Sequence, residues 1–232
     1  MNPLIEFGFT WPRAGYLPGA RNVSVPVVAL VGCSLLNVLF LLWYGGRGSP
    51  MSSAEVETLL ERVRRNAEAA GAPFAPDLLP SLREVAKDDD GWEFVMVNLI
   101  RYRTKAVYPP GWDYGDDPYA ADARYNRAVV PLLLKRACIP IFLGRSAGRF
   151  LAPEGTESWD CVALVRYRSR RDFLRLCADL AKDRADIHKW AAIEATQVFP
   201  VKARLSLIMI RIVIALALAL VVVLSFHFSP AP

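Results

Sequence analysis

The chain has 232 residues, enough for one domain or two small ones. Its formal charge is +5, but acidic residues are mixed with the basic ones and no basic tract interleaves with aromatics, which argues against nucleic-acid binding. The hydrophobic fraction is 53% and the mean hydropathy +0.23, and two runs hold much of the excess.

Residues 1–22 read as an N-terminal tail. The first apolar run, Val23 to Tyr44, carries no charge. A helix of about 20 residues crosses a bilayer core of ~30 Å. Trp43 and Tyr44 close the run, where amphipathic rings favour the headgroup level. The run is too long for a cleavable signal core, and its bulky end offers no small-residue cleavage site. The second run, Leu205 to Phe228, is apolar all round. Its one Arg, Arg211, lies near the start, where a long side chain snorkels to the interface. His227 falls at the other interface. Both runs predict transmembrane helices, at 23–44 and 205–228.

Lys and Arg near the runs set the orientation. Arg47, Arg62, Arg64 and Arg65 follow the first, and Lys189, Lys202 and Arg204 precede the second. Arg13 and Arg21 pull the other way. The balance predicts a multi-pass protein of the cell (inner) membrane, with the central domain cytoplasmic and both termini outside. The lipid bilayer is then its first partner. Arg heavily outnumbers Lys, as in GC-rich bacterial genomes. Cys33, Cys138, Cys161 and Cys177 show no metal-binding spacing and read as small buried hydrophobes.

Between the runs, Gly45 to Pro50 reads as a linker, and residues 51–90 as a helical extension. Ser52-x-x-Glu55 has capping-box spacing and opens a helix to about Ala69, ending at Gly71 and Pro73, with Leu59, Leu60 and Val63 as its apolar stripe. A short helix is predicted over Pro80–Lys87, then a turn at Asp88–Gly91. Residues 91–203 carry an α+β pattern. Trp92–Arg103 is a strand apolar on both faces. Residues 104–119 read as a loop, and Asp122–Arg136 as a helix. Cys138–Gly144 is a strand whose Pro140 implies an edge or bulge. A short strand is predicted at Arg149–Ala152 within a loop. Asp160–Tyr167 is a strand, Ser169 caps a helix over Arg170–Lys182, and Ala185–Ile193 is a further helix. Thr196–Val201 is the last strand. The order β-α-β-β-α-β is the ferredoxin-like split arrangement. Its open sheet face is apolar and must be buried, most simply against a second copy.

The stretches FVMVNLIRYR, WDCVALVRYRSRRDFL and IHKWAAIEATQVFPV, with Tyr125 in the helix between the first two, occur in this order. Together they resemble the bacterial domain-of-unknown-function family 1330 of the dimeric α+β barrel superfamily. The resemblance spans residues 92–201. Arg168, Lys189 and Cys138 depart from it, standing where Pro, Arg and Gly are usual. It implies a homodimer with a cavity between sheet and helices, and no established reaction. Relatives on this fold include monooxygenases and isomerases, though fold does not fix function.

Six residues are ligand-binding candidates: Asn98, Tyr125, Arg145, Trp159, Tyr167 and His188. Asn98 sits among apolar strand residues, and a buried amide costs about 1–3 kcal/mol unless hydrogen-bonded. It either orients a ligand or satisfies nearby backbone. His188 titrates near neutrality but has no partner at triad or metal spacing. Asn98 and His188 are the catalytic candidates. Tyr125, Tyr167 and Trp159 line a pocket or fill the core. Arg145 binds an anionic group or is ordinary surface. Arg166, Arg168, Arg170 and Arg171 read as a solvated strand-to-helix corner, or as a contact with anionic lipid or an acidic partner. No nucleotide, zinc or serine-hydrolase motif is present, so no cofactor and no metal are expected. The two functional readings are a membrane-anchored, dimerising binding or scaffold module, and a cofactor-independent monooxygenase or isomerase acting on a small molecule.

Overall fold

A computed structural model describes residues 24–45, 48–71, 77–204 and 210–228. The N-terminal tail with Arg13 and Arg21, Arg47 in the linker, Pro73, and the start of the second apolar run at 205–209 lie outside the described residues. The chain divides into two units, Val38–Ile212 and the remainder, Met1–Asn37 with Val213–Pro232.

Helices α1 (Val25–Tyr44) and α7 (Ile210–His227) are each long and apolar enough to cross a membrane. Neither carries an acidic residue, and α7 buries none of its side chains.

The larger unit holds α2 (Ser53–Ala69), α3 (Leu78–Lys87), β1 (Phe94–Tyr102), α4 (Pro118–Leu134), β2 (Ile139–Arg145), β3 (Cys161–Tyr167), α5 (Arg170–Asp183), α6 (Asp186–Ala192) and β4 (Ile193–Val201). It is an α+β unit with a four-stranded antiparallel sheet, ordered β2-β3-β1-β4. Helices α4, α5 and α6 cover the face that carries Phe94, Met96 and Ile100.

Local chemistry explains most boundaries. Ser52 Oγ accepts from Glu55 N and starts α2. The Glu55 carboxylate does not return to Ser52; it takes two hydrogen bonds from Arg171 on α5, at 2.6 and 3.1 Å. The stripe Leu59, Leu60 and Val63 packs against Leu174 and Ala178 of α5 and Leu82 of α3. Helix α4 begins four residues earlier than its apolar spacing predicts. Asp117 caps it by accepting from Tyr119 N, and Pro118 occupies the first turn, where no amide hydrogen is needed. Pro140 lies on edge strand β2, where the register slips between Pro140 and Phe142. Ser169 caps α5 through Asp172 N. The strand predicted at Arg149–Ala152 is irregular chain.

The arginine-rich corner is not solvated. Arg166 and Arg170 are buried. Arg168 grips Asp172 in a fork at 2.6 and 3.1 Å, and Arg171 holds Glu55. Strand alternation sets Arg166 on the sheet face away from α4, α5 and α6, where Glu93 and the Tyr44 ring meet it, whereas Arg170 has no carboxylate partner among the described residues and lies 5.9 Å from the Phe94 ring centre.

Arg166 carries the tightest of these networks. Its Nε donates to Glu93 at 3.0 Å, Nη1 to the Ala137 carbonyl at 2.8 Å and Nη2 to the Tyr44 carbonyl at 2.8 Å. The guanidinium carbon lies 3.5 Å from the Tyr44 ring centre. Arg166→Ala is expected to destabilise the full chain by about 1–3 kcal/mol, because the Ala137 and Tyr44 carbonyls lose their donor while Glu93 keeps Arg211. Leu174→Ala is expected to cost roughly 2–5 kcal/mol through a cavity. Arg62→Ala, which removes an exposed partner of Asp179, should cost under about 1 kcal/mol. Unfolding in detergent at matched conditions ranks the three.

Candidate functional site

The sequence candidates do not converge on one point. Asn98 shares the helix-covered face of β1 with Phe94 and Met96. Its amide donates to the Met96 and Ala163 carbonyls, both at 3.2 Å, so backbone already satisfies it. Tyr167 stacks on Phe94 at 5.3 Å and meets the edge of Phe173, and Tyr125 packs against the same core. Arg145 is exposed over the Tyr119 ring. Trp159 is half-buried just before β3.

His188 belongs to a separate aromatic group. Its Nδ1 lies 2.9 Å from the Tyr108 hydroxyl, and the Tyr114 ring meets it edge-on at 4.9 Å. Burial and the nearby Arg124 charge lower its pKa, so the neutral imidazole dominates near pH 7.

What the fold does bring together is a polar cluster between α4 and α6. Ala121, Ala191 and Ala192 are fully buried at this contact, and their small side chains let the helices approach closely. Asp122 and Asn126 lie one turn apart on α4, and Asp186 and Lys189 one turn apart on α6. Asp122 Oδ2 accepts from the Tyr102 hydroxyl at 3.0 Å and from Asn126 Nδ2 at 2.9 Å. One oxygen of Asp186 is buried without a hydrogen-bond partner among the described residues. The Lys189 ammonium lies 5.8 Å from the Tyr125 ring centre and 5.2 Å from that of Trp190. It forms no ion pair within 4 Å among the described residues.

Burial drives every shift in this cluster toward the neutral form. It raises Asp122, against the hydrogen bonds of Tyr102 and Asn126, and it raises Asp186. It lowers Lys189, against the charges of Asp122 and Asp186. It pushes the Cys177 thiol up to about 12, which keeps that sulfur protonated. Acids moved up and an amine moved down are what burial between two packed helices produces. Sequence reasoning missed Tyr102, Asp122 and Asp186, and noted Lys189 only as a departure from the family pattern and as one of the cations before the second apolar run. The signal was the one-turn spacing of Asp122 with Asn126 and of Asp186 with Lys189, on helices with small buried residues. Among the described residues, no three His, Cys, Asp or Glu side chains converge to hold a metal.

Two clefts open on this unit. One of about 670 Å³ lies at the end of β1, where Arg101, Arg103 and Lys105 face Asp116, Asp160 and Glu194. Arg101 is paired with Glu157 and Glu194, and Lys105 with Asp116, so its charge is largely matched internally. The other, of about 420 Å³, lies beside Tyr44, Glu93 and Arg166. Neither is lined by Asn98 or His188.

No protein-family model matches the chain, and no curated protein matches it in sequence. Two solved structures are similar, both of RPA0582, a protein of unknown function from Rhodopseudomonas palustris. The methylated form is 24% identical, over 58% of this chain and 95% of that one, with a TM-score of 0.48. The other is 23% identical, over 58% and 97%, with a TM-score of 0.49.

Asp122 gives the cluster a pH signature. A carboxyl whose pKa is raised on folding lends stability below the ordinary carboxylate range and loses it as pH rises through the folded value. Asp122→Asn should therefore become more stable relative to the native chain as pH rises from about 4 to 7. The gain is of order 1 kcal/mol or less, because the carboxyl keeps partial contact with water. Unfolding midpoints across that range measure it, and a constant difference would contradict the assignment.

Proposed function

We propose that this is a membrane-anchored protein whose ferredoxin-like domain acts as a dimerising binding or scaffold module at the membrane surface. The observation that carries the reading is the open sheet face. Register aligns Phe142, Leu164, Val97 and Phe199 in one apolar row across all four strands, on the face away from α4, α5 and α6. Phe142 is 49% exposed and Phe199 37% exposed. Rows of this kind are costly to leave against water, at roughly 25 cal/mol per Å².

Further support comes from element order. The succession β1-α4-β2-β3-α5-β4 with sheet order β2-β3-β1-β4 suits a ferredoxin-like unit with an added short helix, α6. The resemblance to domain-of-unknown-function family 1330 and to dimeric α+β barrels points to a second copy as the cover. Helices α1 and α7 are the proposed anchor, and the Lys and Arg balance favours a two-span topology with the domain on the cytoplasmic side of the inner membrane.

A second reading, a cofactor-independent monooxygenase or isomerase, draws on the shifted groups Asp122, Asp186 and Lys189. In that reading the chemistry sits at this cluster and not at Asn98 or His188.

The module reading is tested with the full chain in detergent. Val97→Glu with Phe199→Glu should convert a dimer to a monomer in light scattering while leaving the helical signal intact. A native chain that is monomeric at all concentrations would sink the dimer. Reporter fusions at both termini should read outside; a cytoplasmic signal from either reverses the orientation.

A further inference from the structure

We propose that the 420 Å³ cleft beside Tyr44 and Arg211 binds the phosphate of an anionic phospholipid headgroup. The inference rests on the membrane-anchored reading above. Charge counting motivates it. Three cations, Arg166, Lys202 and Arg211, face two carboxylates, Asp90 and Glu93, in and around this cleft. Lys202 pairs with Asp90. Arg166 and Arg211 both pair with Glu93, which takes Arg211 Nη2 at 2.7 Å. One positive charge is left without a carboxylate.

That charge resides on Arg211 and Lys202. Arg166 is 4% exposed and spends its donors on Glu93, Ala137 and Tyr44. Arg211 and Lys202 keep 46% and 56% of their side-chain surface open. A guanidinium has five N–H donors, and Arg211 directs only two of its nitrogens at Glu93. Arg211 lines the cleft, and the donors it does not spend on Glu93 suit phosphate oxygens.

The rest of the lining fits a headgroup at an interface. Trp92 is 57% exposed on the rim, an amphipathic ring suited to the headgroup level. Its indole lies so close to Gly48 that a Cβ there would sit 2.9 Å from the ring, so the Trp92 ring is held in place. Ile210 and Ile212 flank Arg211 with apolar surface where a glycerol backbone would begin. Basic pockets beside transmembrane segments bind anionic headgroups in this way.

The shared chemistry is a phosphate, so the test separates a lipid from free phosphate. The full chain in non-ionic detergent is titrated with short-chain phosphatidylglycerol, short-chain phosphatidylcholine or inorganic phosphate, and the thermal midpoint is read. Phosphatidylglycerol should raise it by roughly 3 °C or more, the other two by far less. Lys202→Gln and Arg211→Gln should each weaken the phosphatidylglycerol response about fivefold, and Arg211→Lys should keep most of it. If Arg211→Gln does not fold, Lys202→Gln decides. Equal shifts from phosphatidylcholine, full reproduction by inorganic phosphate, or an unchanged response in the Gln variants would overturn the proposal. Alkaline carbonate washing of membranes is the separate check. A chain released by carbonate defeats the membrane reading and this inference with it. A chain retained by carbonate but indifferent to phosphatidylglycerol defeats this inference alone.

Discussion

Arg166 is only 4% exposed, and the architecture of the larger unit is arranged around satisfying its guanidinium. Burying an unpaired guanidinium would cost several kcal/mol. Here Glu93 supplies the counter-charge, two carbonyls take further N–H groups, and the Tyr44 ring covers one face. Those partners come from three places in the chain: the last turn of α1, the residue before β1 and the corner before β2. The corner is strained, with Ala137 at φ 54°, a conformation costly for a residue bearing a Cβ. Its carbonyl accepts from Arg166, so the network helps hold that geometry. One side chain on β3 thus ties the end of an apolar helix to the sheet.

The same constraint explains which parts of the fold were legible in the sequence. Elements with local signals were readable. Ser52 and Ser169 announced helix starts, Pro140 announced an edge, and Asp88–Gly91 announced a turn. The helix start at Asp117–Pro118 was equally local and was passed over, because the apolar spacing begins later. Arg149–Ala152 looked strand-like in isolation but has no neighbouring strand to pair with. Arg166 and Arg170 were misread as solvated, since nothing near them in sequence shows that Glu93, Tyr44 and Ala137 converge on Arg166.

The polar cluster was hidden for a similar reason. Asp122 and Lys189 are far apart in the chain, and only the contact between α4 and α6 brings them together. Asn98 is the opposite case, where the sequence leaves two readings open. A lone amide in an apolar strand suggests a ligand, yet two strand carbonyls lie within its reach and quench it. A buried polar group marks function only when the fold has left it unsatisfied, as with the Asp186 oxygen.

The open sheet face and the apolar helices are connected by concentration. An apolar row of four residues is a small interface for two freely diffusing proteins, because association pays for lost translational freedom. Confinement to a membrane surface changes that cost. Two domains held at one surface meet at a far higher effective concentration than in bulk, as linked binding modules do. On the proposed reading, a face too modest to hold a soluble dimer suffices for an anchored one. The burial of Arg166 then acquires a role beyond stability: by gripping the carbonyls of Tyr44 and Ala137 it orders the edge of the larger unit beside this face, and an ordered surface loses less freedom on association than a loose one would.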